Sequence, residues 1–385
     1  MSISSGPKAG MSADLARMEG PYAVLKHRDF ALYLGGRLVA AFGQQMLVVA
    51  VGWELYERTH SALALGFVGL AEMIPMFAFT LPAGHLADNY PRKTIIMVMQ
   101  TVMIVACLGL TAISILHLEV ILSYISLFLF GTARTFLWPA SSSFMPQLVP
   151  REHFSKAVTW NTGTFQLSSV LGPAAGGALI SLTHRASVVY FIAAVCGTIC
   201  VILLWMVHTR HEVAVREKMS PKSLISGFRF VFDNKIILGT ITLDMFAVLL
   251  GGATTLLPVY AKDILQVGPG GLGFLQAGLP VGSVTMAAVL AHRRPLEKAG
   301  RAMLWAVVAF GLATVGFGIS HSFWLSFAML VICGAVDNIS MVVRHTLVQL
   351  LTPDTMRGRV SAVNSLFIGT SNELGGFESG LVAHF

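Results

Sequence analysis

Several ionisable side chains stand inside long apolar stretches of this chain, among them Arg37, Glu72, Arg134, Asp244, Asp337 and Arg344. A charge surrounded by apolar groups is costly unless it is paired, solvated or put to use. Sliding the chain by 203 residues carries Arg134 onto Asp337, and sliding it by 207 carries Arg37 onto Asp244. Two arginines of the first half thus answer to two aspartates of the second. We expect these four to face one another across a central space, as pairs that exchange partners with a ligand or a proton. Local satisfaction by water or backbone carbonyls is the alternative. Glu72 is the deepest carboxylate of its run and the better candidate for proton uptake. Glu54 lies nearer an end, where a polar anchor is the simpler reading. Glu373 and Glu378, beside Asn372 and three glycines, point to a wet helix face. Gln44, Gln45, Trp53, Trp138, Asn161 and Asn338 are candidates to contact a small molecule; packing and interhelical hydrogen bonding are the alternatives for each.

The elements that must carry these groups are read from composition. Of 385 residues, 55% are hydrophobic and 12% charged, and the mean hydropathy is +0.72. Soluble proteins carry about 25% charged residues, so a soluble, disordered or coiled-coil chain is excluded. A helix crosses a bilayer with about 20 apolar residues. Eleven runs qualify: 30–56, 63–87, 94–116, 120–145, 157–182, 187–208, 236–260, 270–291, 302–320, 323–347 and 360–383. They are too long and too evenly apolar for barrel strands, which run about ten residues in alternation. Twenty Lys and Arg fall before the first run or in every second connection after it; the other connections hold only Arg58, Arg185 and Lys262. Positive residues stay in the cytoplasm, which places the N-terminus there. The first 29 residues lack the apolar core of a signal peptide, so the chain is expected to insert through its first run.

The chain repeats itself. At an offset of 203, Gly131 meets Gly334, Pro150 meets Pro353, Asn161 meets Asn364, Gly172 meets Gly375 and Gly177 meets Gly380; nearer the start the offset is 205, Gly66 meeting Gly271 and Pro75 meeting Pro280. We expect an all-α integral membrane protein of two pseudo-symmetric bundles. A cytoplasmic arm (1–29) precedes a six-helix bundle (30–208). A linker (209–235), read as a basic amphipathic helix at the membrane surface, leads to a second bundle (236–385). That bundle holds five spans, so the last of twelve is expected to be missing and the copy truncated. The linker's positive charge suits anionic lipid and needs no nucleic acid. Cys107, Cys196, Cys200 and Cys333 form no pair or cluster with zinc spacing, so no metal or other cofactor is expected. No phosphate-binding G-x-x-x-x-G-K-[ST] occurs. Ser141, Ser142 and Ser143 lack a placed His and Asp, so no enzyme is expected.

The segment from Gly84 to Lys93 resembles the signature loop G-x-L-A-D-R-x-G-R-K of the major facilitator superfamily, matching at Gly84, Leu86, Ala87, Asp88, Arg92 and Lys93; Asn89 and Pro91 replace the usual Arg and Gly. The stretch from Ser168 to Gly177 resembles the superfamily's antiporter motif G-x-x-x-G-P-x-x-G-G through Gly172, Pro173, Gly176 and Gly177, with Ser168 in place of the first glycine. Residues 81–88 and 357–364 look like its enterobactin-exporter and drug-efflux branch. The Arg that many proton antiporters carry on helix 4, four residues before a Gly, is Leu127 here. The resemblance implies a monomeric secondary transporter of the bacterial inner membrane, with helices 1, 4, 7 and 10 around a cavity. It implies export of small organic molecules by alternating access, with protons as the coupling ion, and Asp88 latching onto the start of helix 11 near Val360. An importer of the same fold, and a channel or passive scaffold, are the rivals.

Overall fold

The computed structural model describes residues 22–208, 228–250, 253–292, 299–353 and 356–383. Among them lie eleven long helices and no strand. We number them α1 (Arg28–Thr59), α2 (Ala62–Asn89), α3 (Arg92–Ile115), α4 (Val120–Phe144), α5 (Phe154–Thr183), α6 (Ala186–Trp205), α7 (Lys235–Leu250), α8 (Gly268–Ala291), α9 (Ala299–Gly318), α10 (Phe323–Leu351) and α11 (Arg357–Val382). In hydrocarbon every backbone polar group must be bonded within the chain, which makes a helix the only form such apolar runs can take singly. Ten stretches among the described residues are long and apolar enough to cross a membrane. The helix outside that set is α11, which carries Arg357, Arg359, Glu373 and Glu378; it packs along α2 and α7.

Helix ends follow from local chemistry. The turns after α1, α3 and α5 are made by His60, His117 and His184, at φ of 48°, 51° and 54°. That left-handed position closes a helix and usually takes Gly or Asn. Here the His60 and His184 amides donate to the Tyr56 and Ile180 carbonyls. The run read as 236–260 is α-helical over the described residues up to Leu250; past 251–252, which lie outside them, a 3-10 turn over Ala253–Leu256 and a π-turn over Tyr260–Ile264 carry the chain on toward α8, and Lys235–Ile264 as a whole is long and apolar enough to span. Of the linker, only 228–235 lies among the described residues; 228–233 is helical, with Val231 buried against Ile237, Ile241, Val348, Val360 and Val363. The rest of the expected surface helix lies outside them.

Helices α1–α6 pack chiefly on one another, as do α7–α11; the broad contacts between the two sets are α5 on α8 and α2 on α11. Both crossings are made at glycines. A Cβ on Gly177 would overlap the Pro269 carbonyl and stand 3.0 Å from the Gly273 Cα; a Cβ on Gly380 would stand 2.9 Å from the Gly66 Cα. Absent side chains let two helices approach backbone to backbone. The two crossings are images of one another, since Gly177 and Gly380 are repeat counterparts. They also correct the register of the repeat: Gly66 answers to Gly273, an offset of 207, not to Gly271. Gly131 packing on Glu72 and Gly334 packing on Leu279 give the same offset. Aligning on Pro75 and Pro280 misplaces α8 by two residues because a proline marks a bend, not a contact.

All named contacts between the sets lie toward the face that carries the His60, His117 and His184 turns. There the Tyr56 hydroxyl donates to the Asp263 carboxylate, and the Lys262 ammonium lies 5.9 Å from the ring centres of Trp53 and Tyr56. Contact reaches inward to Met76 on Gly369, whereas Gly84 and Gly163, toward the Asn89 face, have open space beside them. Among the described residues the two sets close on one another at the His60 face, and the glycines toward the Asn89 face have no such neighbour.

Candidate substrate cavity

A cavity of about 600 Å³ lies between the two sets. It runs from Thr254 and Pro258, beneath the closed face, to Tyr33 and Leu204. Its walls are mostly apolar, as suits a small-molecule site. On α1 the wall is Arg37, Ala41, Gln44 and Val48; on α4 it is Phe130, Arg134, Trp138 and Ser141. Both sets recur at spacings of three and four, one face of a helix.

Four charged side chains line this space: Arg37, Glu72, Arg134 and Glu373. Arg134 Nη1 donates to Glu72 Oε2 at 3.0 Å. The Arg134 side chain is 64% exposed and that of Glu72 17%, so the pair is reachable from the cavity. Glu373 comes from the other bundle. Its Oε2 lies 3.2 Å from where a Gly69 Cβ would stand, one helical turn from Glu72. It is within electrostatic reach of both Glu72 and Arg134. Arg37 stands apart, beside the Tyr33 hydroxyl, itself next to Ser141. Among the described residues no carboxylate lies within ion-pair distance of it.

The expected four-way facing of Arg37, Arg134, Asp244 and Asp337 is not what the geometry brings together. Asp244 is ion-paired with Arg344 and accepts from Ser340 Oγ at 3.2 Å, all within the second bundle; Asp244 and Arg344 are 5% and 4% exposed. Asp337 lies with Asp244 and Ser340 around a separate space of about 10 Å³ between α7, α9 and α10. Arg134, too, is paired within its own bundle, its long stem reaching Glu72 on α2, whereas the short Asp337 side chain stays between α7, α9 and α10. The register explains the rest: Asp244 answers to Arg37, and Arg344, at an offset of 203, answers to Ser141.

Gln44, Gln45 and Trp138 line the cavity, with Gln45 Nε2 donating to Ser169 Oγ at 3.2 Å and Trp138 69% exposed. Asn161 and Asn338 do not line it; each has a buried side-chain oxygen without a hydrogen-bond partner. Trp53 packs under Lys262 at the closed face. Glu54 is ion-paired with Arg58 at 3.5 Å. Glu373, Tyr33 and Arg344 are the functional candidates that sequence reading left out of the site. A carboxylate in an apolar helix was the available signal for Glu373.

The two motifs divide their work. Gly172 and Gly176 seat α5 on α1 at Gln45 and Met46, while Pro173 and Gly177 meet Gly273 of α8. In the loop motif, Arg92 Nη1 donates to the Ser143 carbonyl at 3.3 Å. Lys93 Nζ donates to the Trp205 and Val207 carbonyls at 3.1 and 2.7 Å. Cations thus close the C-terminal ends of α4 and α6, where orphan carbonyls and the helix dipole favour positive charge. Leu86 and Ala87 pack into the core at that face. The Asp88 side chain lies outside the described residues.

This arrangement has relatives. The chain is 26% identical over 342 residues to the enterobactin exporter EntS of Shigella boydii serotype 18, covering 88% of this chain and 81% of that one. The enterobactin exporter EntS of Escherichia coli O1:K1 / APEC matches to the same extent. Among solved structures, a bacterial homologue of the iron transporter ferroportin in its inward-facing state superposes with a TM-score of 0.72 at 18% identity, over 92% of this chain and 91% of that one. A bacterial homologue of the human lysosomal transporter Spinster, inward-facing and unoccupied, gives 0.68 at 15%, over 92% and 81%. The model of the transmembrane secretion effector family matches residues 19–385, and the chain belongs to that family of multi-pass membrane transporters within the major facilitator superfamily.

Proposed function

We propose that this transporter exports small amphipathic organic molecules by alternating access, driven by protons that return through the same cavity. The Lys and Arg bias supports a cytoplasmic Asn89 face and N-terminus, and the bacterial exporters that the chain resembles support the inner membrane. The His60 closure is then on the outer side, and the cavity is loaded from inside. The names of the enterobactin exporters support the outward direction. Both halves of one chain line the cavity, which supports a monomer.

The observation that carries the reading is the cluster of Glu72, Arg134 and Glu373. Two carboxylates against one guanidinium leave one negative charge in excess, and a proton or a cationic group makes it neutral. Glu72 and Arg134 ride on the first bundle and Glu373 on the second, meeting across the α2–α11 crossing. Opening the outer face separates those helices, so the charge balance of the cluster and the conformation depend on one another. Among the described residues no other charged side chain lines the cavity near Glu373; the neighbours from the α7 side are Thr254 and Thr255. Such linkage of a charge to a two-state element is what coupled transport requires.

A substrate-panel efflux assay in cells lacking other pumps supplies a substrate. Inverted vesicles with an acidified lumen then accumulate it, and Glu373→Gln abolishes accumulation while leaving substrate exchange intact. Accumulation only in vesicles of the opposite orientation rejects export in favour of import, and gradient-driven transport by Glu373→Gln at the wild-type rate rejects the coupling role. Flux that neither saturates nor responds to protons marks a passive pore.

A further inference from the structure

The two bundles are built alike, and at one pair of positions they differ in a way that calls for a missing partner. In the second bundle α7 and α10 are joined by the Asp244–Arg344 ion pair. The same positions on α1 and α4 are Arg37 and Ser141. The first bundle therefore has a guanidinium facing a hydroxyl, with no carboxylate in ion-pair range among the described residues. Arg37 stands nine residues into α1, about 14 Å from its start. It lines the cavity beside Tyr33 and Ser141, so its charge is turned toward whatever enters. The other cavity cation, Arg134, is already paired with Glu72.

We propose that Arg37, with the Tyr33 and Ser141 hydroxyls, is the seat for an acidic group of the substrate, which supplies the carboxylate that Asp244 supplies in the second bundle. Trp138 lies three residues before Ser141 on the same face of α4 and projects its ring into the cavity. It is placed to cover a flat apolar body attached to that group. From Ser141 to Arg134 is seven residues, about 10 Å along α4. The ligand class is therefore an aromatic organic acid, its anionic end at Arg37 and its apolar body against Trp138, extending toward the Glu72–Arg134–Glu373 cluster. The assignment rests on the transport reading for its biological sense, but binding at equilibrium needs no gradient.

The test uses the full chain in lipid nanodiscs and two tritiated probes of one shape, 2-naphthoate and 2-naphthylmethanol, measured by scintillation proximity with empty discs subtracted. Wild type should bind the acid about tenfold or more tighter than the alcohol, a difference of about 1.4 kcal/mol or more. Arg37→Gln should bring the two affinities together without weakening the alcohol, and Arg37→Lys should restore part of the preference. Arg37→Met serves if the Gln variant does not fold. Equal affinities in wild type, no saturable binding of the acid, or an acid preference that survives in Arg37→Gln would each overturn the assignment. None of those results touches proton-driven efflux, whose failure would in turn leave the acid preference standing.

Discussion

Adding a methyl group at Gly177 should push the molecule out of the conformation described here. A Cβ at that position overlaps the Pro269 carbonyl oxygen and stands 3.0 Å from the Gly273 Cα and amide nitrogen. These are backbone atoms of a helix in the other bundle, so they cannot turn aside as a side-chain tip would. Overpacking of this kind costs about 1–3 kcal/mol. The cost falls only on the state in which α5 and α8 touch, so it shifts the equilibrium between states by roughly five- to 150-fold toward the one open at the His60 face. Gly380→Ala meets the Ala62 carbonyl oxygen at 2.8 Å and Gly66 at the other crossing, and the two substitutions should add because they share no partner. The assay is accessibility of Thr255→Cys, which lies on the cavity wall beneath the closed face, to a membrane-impermeant maleimide applied from the His60 side. The four native cysteines are buried and give a low background. Labelling should accelerate in Gly177→Ala and more in the double variant. Gly239→Ala, with open space around it, should leave the rate unchanged. Labelling that does not rise in Gly177→Ala, or that rises equally in Gly239→Ala, refutes the idea that the glycine crossings hold this face shut.

Arg344→Met should lower stability by about 3–5 kcal/mol, because it strands the Asp244 carboxylate in the second bundle; the double variant Arg344→Met with Asp244→Asn should recover most of the loss in thermal unfolding of the purified protein. Tyr56→Phe removes a hydrogen bond to the Asp263 carboxylate, worth about 1.5–3 kcal/mol, and should raise Thr255→Cys labelling from the same side as Gly177→Ala does. Lys93→Gln loses the cation on the Trp205 and Val207 carbonyls and should lower the melting temperature slightly, by the equivalent of about 0.3–1 kcal/mol, without altering the acid preference of the cavity.

Helix number and order were legible because an apolar run of bilayer length has only one structure available to it in lipid. Helix orientation about its own axis was not. In a helix that is apolar all round, periodicity does not mark the buried side. The sequence therefore could not say that Arg134 faces the cavity while Asp337, its counterpart, faces α7 and α9. For the same reason Asn161 and Asn338 looked like cavity residues and are not. The 3-10 and π-turns over 253–264 were hidden because hydropathy continues through them while the hydrogen bonding changes. The glycines of α5 were readable as a site of close approach, but their partners were not, since a contact between bundles belongs to one state of the molecule rather than to the sequence of either bundle. Arg344 went unread as the partner of Asp244 because charge was matched by repeat position, and the repeat pairs Arg344 with Ser141.

The same comparison of the halves says why a duplicated bundle has to lose its symmetry in order to work. On the pseudo-twofold, Glu72 answers to Leu279, Gly69 to Gln276 and Glu373 to Val170, so the α5–α8 crossing is uncharged where the α2–α11 crossing carries a cluster. Were both crossings charged, each bundle would hold the other through two charge clusters. Opening one face would then require disturbing both at once, in a surround that tolerates unpaired charge poorly. With that crossing made of close-packed backbone, α5 and α8 can separate at the cost of van der Waals contact and of the neighbouring Tyr56–Asp263 hydrogen bond. A single cluster is left to register whether the faces have changed over. The second difference, Arg37 and Ser141 against Asp244 and Arg344, acts in the same sense: the second bundle is pinned internally by its own ion pair, and the first keeps an unspent charge for its cargo. Two nearly identical folds thereby acquire different duties, one rigid and self-satisfied, the other incomplete until the cavity is filled.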